Sequence, residues 1–142
     1  MKDITCNWIP NKSLSVFRFG EKISKYTSTF DLEIDEVLTE GHESKSVYRP
    51  KNHCGITIYT NNYLVDSIIC DDEFLYGGEN LIGKLKVDAV KLVGIEPSEY
   101  GEALWVSEDE QQTTVEFDQV GLMLWVNSKD KVVSVTCDYV SD

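Results

Sequence analysis

Two histidines, four cysteines and 25 carboxylates are the residues of this chain that could do chemistry. His53 and Cys54 are adjacent, and a thiol beside an imidazole is the material of a nucleophile with its base. Neighbouring residues of a strand point to opposite faces, however, which separates these two side chains. His42 has no motif around it. Cys6, Cys54, Cys70 and Cys137 include no C-x-x-C pair, so the closely spaced ligand pairs of a structural zinc site are missing. They read as free, mostly buried thiols of a reducing compartment. Asp71-Asp72-Glu73 and Glu108-Asp109-Glu110 offer oxygen ligands to Ca²⁺ or Mg²⁺, but without the calcium-loop spacing and its glycine. Gly83-Lys84 is followed by Leu85, and no Gly-x-Gly-x-x-Gly occurs, so no phosphate-cradling loop is recognised. The expectation is a protein that is not an enzyme and uses no metal or cofactor.

The elements that would position these residues read as a repeat. Tyr59 to Asp71 and Trp125 to Asp138 share, in order, an aromatic, an Asn-containing turn, a Val, a Ser, a Cys and an Asp. Gly55-Ile56-Thr57-Ile58 matches Gly121-Leu122-Met123-Leu124, and Phe19-Gly20-Glu21-Lys22-Ile23 matches Ile82-Gly83-Lys84-Leu85-Lys86. Three anchors in one order favour internal duplication over chance likeness of hairpins. The repeats run from about residue 14 to 76 and about 79 to 142. Leu85, Ala89, Leu92 and Val93 have helical spacing, ended by Gly94 with Pro97 beyond. Ile23, Tyr26 and Phe30 form a shorter stripe. Alternation predicts strands at 46–48, 56–59, 65–70, 113–117, 122–126 and 132–137. Gly77-Gly78 reads as the joint between the halves. The predicted fold class is α+β, with two tandem repeats, each a short helical segment followed by an antiparallel sheet. With little core in either copy, the 142 residues are expected to form one cooperative domain.

Composition narrows the partner. Thirteen Lys and Arg stand against 25 Asp and Glu, a net charge of −12. No cationic excess exists to replace counterions on nucleic acid or to bind an anionic membrane. An apolar fraction of 42% with 11% aromatics supplies a core, which argues against disorder. No apolar leader follows Met1 and no run of about 18 apolar residues occurs, so the expected location is cytoplasmic. The charge is uneven. Residues 1–71 carry eight Lys/Arg and ten Asp/Glu, and residues 72–142 carry five and fifteen. Glu96 to Asp118 holds eight carboxylates and no cation, with Tyr100 and Trp105 inside it and Trp125 beyond. Such a run also serves as plain solvated surface. Aromatics framed by carboxylates equally suit an interface centre with a charged rim. The candidate partner-binding residues are Trp105, Glu108, Asp109, Glu110, Glu116 and Asp118, with Tyr59 and Trp125 as anchors if they point outward rather than into the core.

Leu81-Ile82-Gly83, the helix through Leu92-Val93-Gly94, Val115-Glu116-Phe117-Asp118 and Gly121-Leu122-Met123-Leu124-Trp125 resemble the repeat of β-lactamase-inhibitor-protein-like folds. In that family a short helical segment precedes a four-stranded antiparallel sheet, singly in some envelope lipoproteins and in tandem in the inhibitor protein. In its small, acidic, motif-free character the chain is also similar to bacterial immunity proteins, including those of contact-dependent growth inhibition. That resemblance implies an intracellular protein that neutralises a cognate basic toxin, a nuclease in kind, by covering its active or substrate-binding face. The alternative is a non-catalytic adaptor or assembly domain that binds another protein.

Overall fold

The computed structural model describes residues 5–40, 43–51 and 55–140. His42, His53 and Cys54 therefore lie outside the described residues. Three short strands open the chain: β1 (Trp8–Ile9), β2 (Ser13–Leu14) and β3 (Phe17–Arg18). Four longer ones follow: β4 (Leu32–Glu40), β5 (Glu43–Pro50), β6 (Ile56–Asn61) and β7 (Leu64–Cys70). A small hairpin, β8 (Leu75–Tyr76) and β9 (Glu79–Asn80), precedes helix α1 (Lys86–Val93). The chain ends with β10 (Glu99–Tyr100), β11 (Leu104–Ser107), β12 (Glu110–Phe117), β13 (Leu122–Asn127) and β14 (Val132–Asp138).

This corrects the expected fold class. The protein is mostly β, with 52% of residues in strands and 9% helical. It is not α+β with two helix-plus-sheet repeats. The stripe Ile23, Tyr26, Phe30 yields only a three-residue 3-10 turn, Ile23–Lys25, without a side-chain cap. Its neighbours Ser24, Thr27, Ser28 and Thr29 favour turns over helix interiors. The helix of the second half does form and stops at Gly94, burying Ala89 and Val93 but leaving Leu85 and Leu92 exposed. Gly77-Gly78 is the two-residue turn of the β8–β9 hairpin, with φ of 60° and 83°, the conformation such a turn requires.

The long strands form one nine-stranded antiparallel sheet in the order β10-β12-β13-β14-β7-β6-β5-β4, with β11 beside β10 on the same side of β12. Its halves meet where β14 pairs with β7, and Thr136 lies opposite Ile69 at the middle. The same hydrogen bonds recur on either side of that pair. Gly20 N donates to Val65 O at 2.8 Å and Gly83 N to Val132 O at 2.8 Å. Asp71 N donates to Gly55 O at 3.0 Å and Asp138 N to Gly121 O at 2.7 Å. The two halves thus share a strand plan, although not a helix.

One side of the sheet is covered. Ile56, Ile58, Val65, Ile68, Val115, Phe117, Leu124, Val126 and Val135 are nearly inaccessible and join one core with Trp8, Leu14, Phe17, Phe74, Leu81 and Ala89. Phe17 packs on Tyr26 and Phe30 at centroid distances of 5.2 and 5.4 Å, which seats the first half's turn as a lid. Each such side chain contributes about 1.5–3 kcal/mol through burial. The cysteines Cys6, Cys70 and Cys137 lie in this core and are all unpaired.

Candidate functional site

The opposite side of the sheet is open. Along β13 the burial alternates: Leu122, Leu124 and Val126 are buried, whereas Met123, Trp125 and Asn127 are partly exposed. Strand periodicity places those three on the other face, where no layer formed by the described residues covers them. Pairing extends this face into a row. Glu99 lies opposite Glu116, Glu116 opposite Met123, Met123 opposite Thr136, Thr136 opposite Ile69, and Ile69 opposite Thr57. A neighbouring row runs Thr114, Trp125, Ser134. The Trp125 indole N–H donates to Thr136 Oγ1 at 3.1 Å, which ties the ring across the sheet. Tyr59 occupies the corresponding position in the first half, opposite Ser67 and Val47. Tyr59 and Trp125 therefore belong to the open face and not to the core.

The sequence-predicted residues fall into four places. Glu116 and Trp125 share the open face. Glu108 and Asp109 form the turn of the β11–β12 hairpin, where Ser107 Oγ donates to Asp109 Oδ1 at 3.1 Å, and Glu110 begins β12 beside them. Asp118 follows the other end of β12. Six strand residues separate the tip from Glu116, about 20 Å. Trp105 lies opposite Gln111, so it belongs to the other face, beyond the border of the core, and is 66% exposed. The carboxylates thus lie at the two ends of β12, with Trp105 on the opposite face from Glu116.

Glu99 and Ser98 were not among the predicted site residues, yet they build the base of the hairpin. Ser98 N and Oγ both donate to Glu116 O, at 2.7 and 2.9 Å, and Ser98 Oγ accepts from Asp118 N at 2.8 Å. Gly101 N donates to Thr114 O at 2.8 Å, and a Cβ at Gly101 would collide with Thr114 Oγ1. The edge strand is therefore clamped flat on β12, which sets Glu99 against Glu116. The Glu116 carboxyl is raised above its ordinary value, first by its hydrogen bond with Glu99, then by burial and by the charges of Glu99 and Asp118. Among the described residues neither glutamate has an ion-pair partner; Lys86 instead lies over the Tyr100 ring at 5.9 Å, and Tyr100, opposite Val115, is on the other face. Asp138, opposite Ser67 on the open face, is raised by burial and by Asp66, against a lowering by Ser67.

Comparison of the chain with family models, curated proteins and solved structures gives no match. The site must be read from its own chemistry. A pocket of about 190 Å³ in the first half is lined by Gly20, Asn61, Leu64, Val65, Asp66 and Tyr139, which offer no nucleophile paired with a base. Among the described residues no group of three or more His, Cys, Asp or Glu is placed to hold a metal ion, and no helix is long and apolar enough to cross a membrane. Burial pushes the Cys137 thiol up. Cys70 is raised by its hydrogen bond with Cys6, then by burial and its neighbours' charges. Both thiols are held in the unreactive, protonated form. The open face carries half-buried aromatics, Tyr59 and Trp125, and a carboxylate rim.

Proposed function

We propose that the chain is a non-catalytic binding protein that works in the cytoplasm and neutralises a basic protein toxin, a nuclease in kind. The second half of the open sheet face lies over the toxin's active or substrate-binding face, and the carboxylates take the place of the phosphates that the toxin grips. The single observation that carries this reading is the opposed Glu99–Glu116 pair, held without a cation beside partly exposed Met123 and Trp125. Two carboxylates in register repel one another, a cost that a cationic partner turns into attraction. The half that holds them carries only five Lys/Arg against fifteen Asp/Glu. A field of that sign speeds encounter with a basic protein. The reading accords with the likeness to immunity proteins in size, charge and lack of a catalytic motif.

The test is recovery of the complex from the native cell. A basic companion should be found whose nuclease activity is silent in the complex and returns when high salt separates the chains. A neutral or acidic companion overturns the reading. An assembly domain is the second reading. It draws support from exposed apolar residues at both sheet edges, Ile34 and Val37 on β4 and Leu104 on β11, which could engage two chains at once.

A further inference from the structure

In one row of the sheet the two halves carry opposite charge at the same position. In the first half, Glu33 on the edge strand lies opposite Arg49, and Lys51 Nζ lies 3.9 Å from Glu33 Oε1. Arg49 follows Tyr48, which pairs with Ile58, so the row continues inward to Thr57. In the second half the corresponding row is Glu99, Glu116, Met123. Glu116 thus holds the place of Arg49, and a carboxylate replaces the guanidinium. The backbone clamp at Ser98 fixes the two acids in register whatever their repulsion. Beside them on the same face, diagonal to Glu116, stands Trp125, its indole N–H bonded to Thr136 on β14, the strand on the other side of β13 from Glu116. Diagonal neighbours across strands are within reach of long and aromatic side chains.

Building on the reading above, we propose that this open face docks an arginine-bearing surface of the basic partner, with Met123 and Trp125 as its apolar floor and one guanidinium seated between Glu99 and Glu116, where it supplies the positive charge that Arg49 brings to the row in the first half. A guanidinium suits this place better than an ammonium. It is planar and it donates to two carboxylates at once. A lysine supplies the charge without the fork or the plane. The partner thus supplies in trans the cation that the first half carries on its own strand.

The test uses the full chain and two labelled octapeptides of equal charge, four Arg-Ser repeats and four Lys-Ser repeats, in low salt. The arginine peptide is expected to bind about fivefold tighter or better, since only it can use the fork. Glu116→Arg copies the first half into the second. It should weaken the arginine peptide about tenfold and abolish the preference, whereas Glu108→Lys with Asp109→Lys at the distant tip should weaken both peptides alike. Should Glu116→Arg fail to fold by circular dichroism, Glu99→Gln and Glu116→Gln must show the same loss of preference. Equal binding of the two peptides, binding of neither, or a preference that survives these variants overturns the guanidinium site. If the native companion then proves basic and binds in a salt-dependent manner, only the site falls and the broader reading of a basic partner stands.

Discussion

Glu99 lies directly opposite Glu116 at one edge of the sheet, and Glu33 lies directly opposite Arg49 at the other. The pairing plan is the same at both places and the charge is not. A like-charged pair in register opposes folding, and an opposite pair supports it, each modestly at an exposed edge. Glu116→Arg should therefore raise the thermal midpoint, by about 1–3 °C. Calorimetry that shows a fall in the midpoint would mean that the two carboxylates are relieved within the molecule.

The raised carboxyls of Glu116 and Asp138 fix a pH dependence. A carboxyl whose folded pKa exceeds its unfolded pKa binds protons more tightly when folded. The stability it adds is complete below the unfolded value and is lost as pH rises through the folded one. The midpoint should rise as pH falls through the raised folded values toward the ordinary carboxylate range. Glu116→Gln should flatten part of that slope. A melting series in which the variant and the parent run parallel contradicts a raised Glu116 carboxyl.

Gly121 closes the turn between β12 and β13 at φ of 66°, and a Cβ there would stand 2.5 Å from Asp138 O and 2.7 Å from Val140 Cγ2. Gly121→Ala must strain the backbone and push β14 away from β13. A loss of about 2 kcal/mol or more in urea unfolding is expected. A neutral result would show that the strand end shifts freely.

The tip carboxylates Glu108 and Asp109 are exposed and bear on the field, not on the fold. Replacing both with Lys should slow association with the native partner about tenfold in low salt and leave the urea midpoint almost unchanged. Stopped-flow mixing at two salt concentrations reads this directly. An unchanged on-rate removes the tip from the encounter.

The strands near the middle of the sheet are legible because their residues alternate without interruption, as in Leu122 to Asn127 and Ile56 to Tyr59. The edges are not. Leu32-Glu33-Ile34 begins an alternation, but the register shifts between Ile34 and Glu36, and the period-two signal breaks there. The segment therefore reads as a charge run. β11 suffers the same fate, with a shift between Trp105 and Ser107 that hides both the strand and the face to which Trp105 belongs. The first half's helix fails for a different reason. Its apolar stripe is real, since Ile23, Tyr26 and Phe30 are buried, but aromatic packing on Phe17 satisfies it with a single turn. Of the site, Glu116 and Trp125 could be named from composition. Glu99 could not, because only the two-residue strand β10 and the Ser98 clamp bring it opposite Glu116, and neither leaves a periodic trace.

The most direct measurement is carboxyl footprinting of the complex as purified from the native cell, compared with the free chain. Glu99, Glu116 and Asp118 should lose their reactivity when the partner is bound and regain it in high salt. Protection confined to Asp71, Asp72 and Glu73 would contradict docking on the second half, and so would no change at the three carboxylates of the hairpin base.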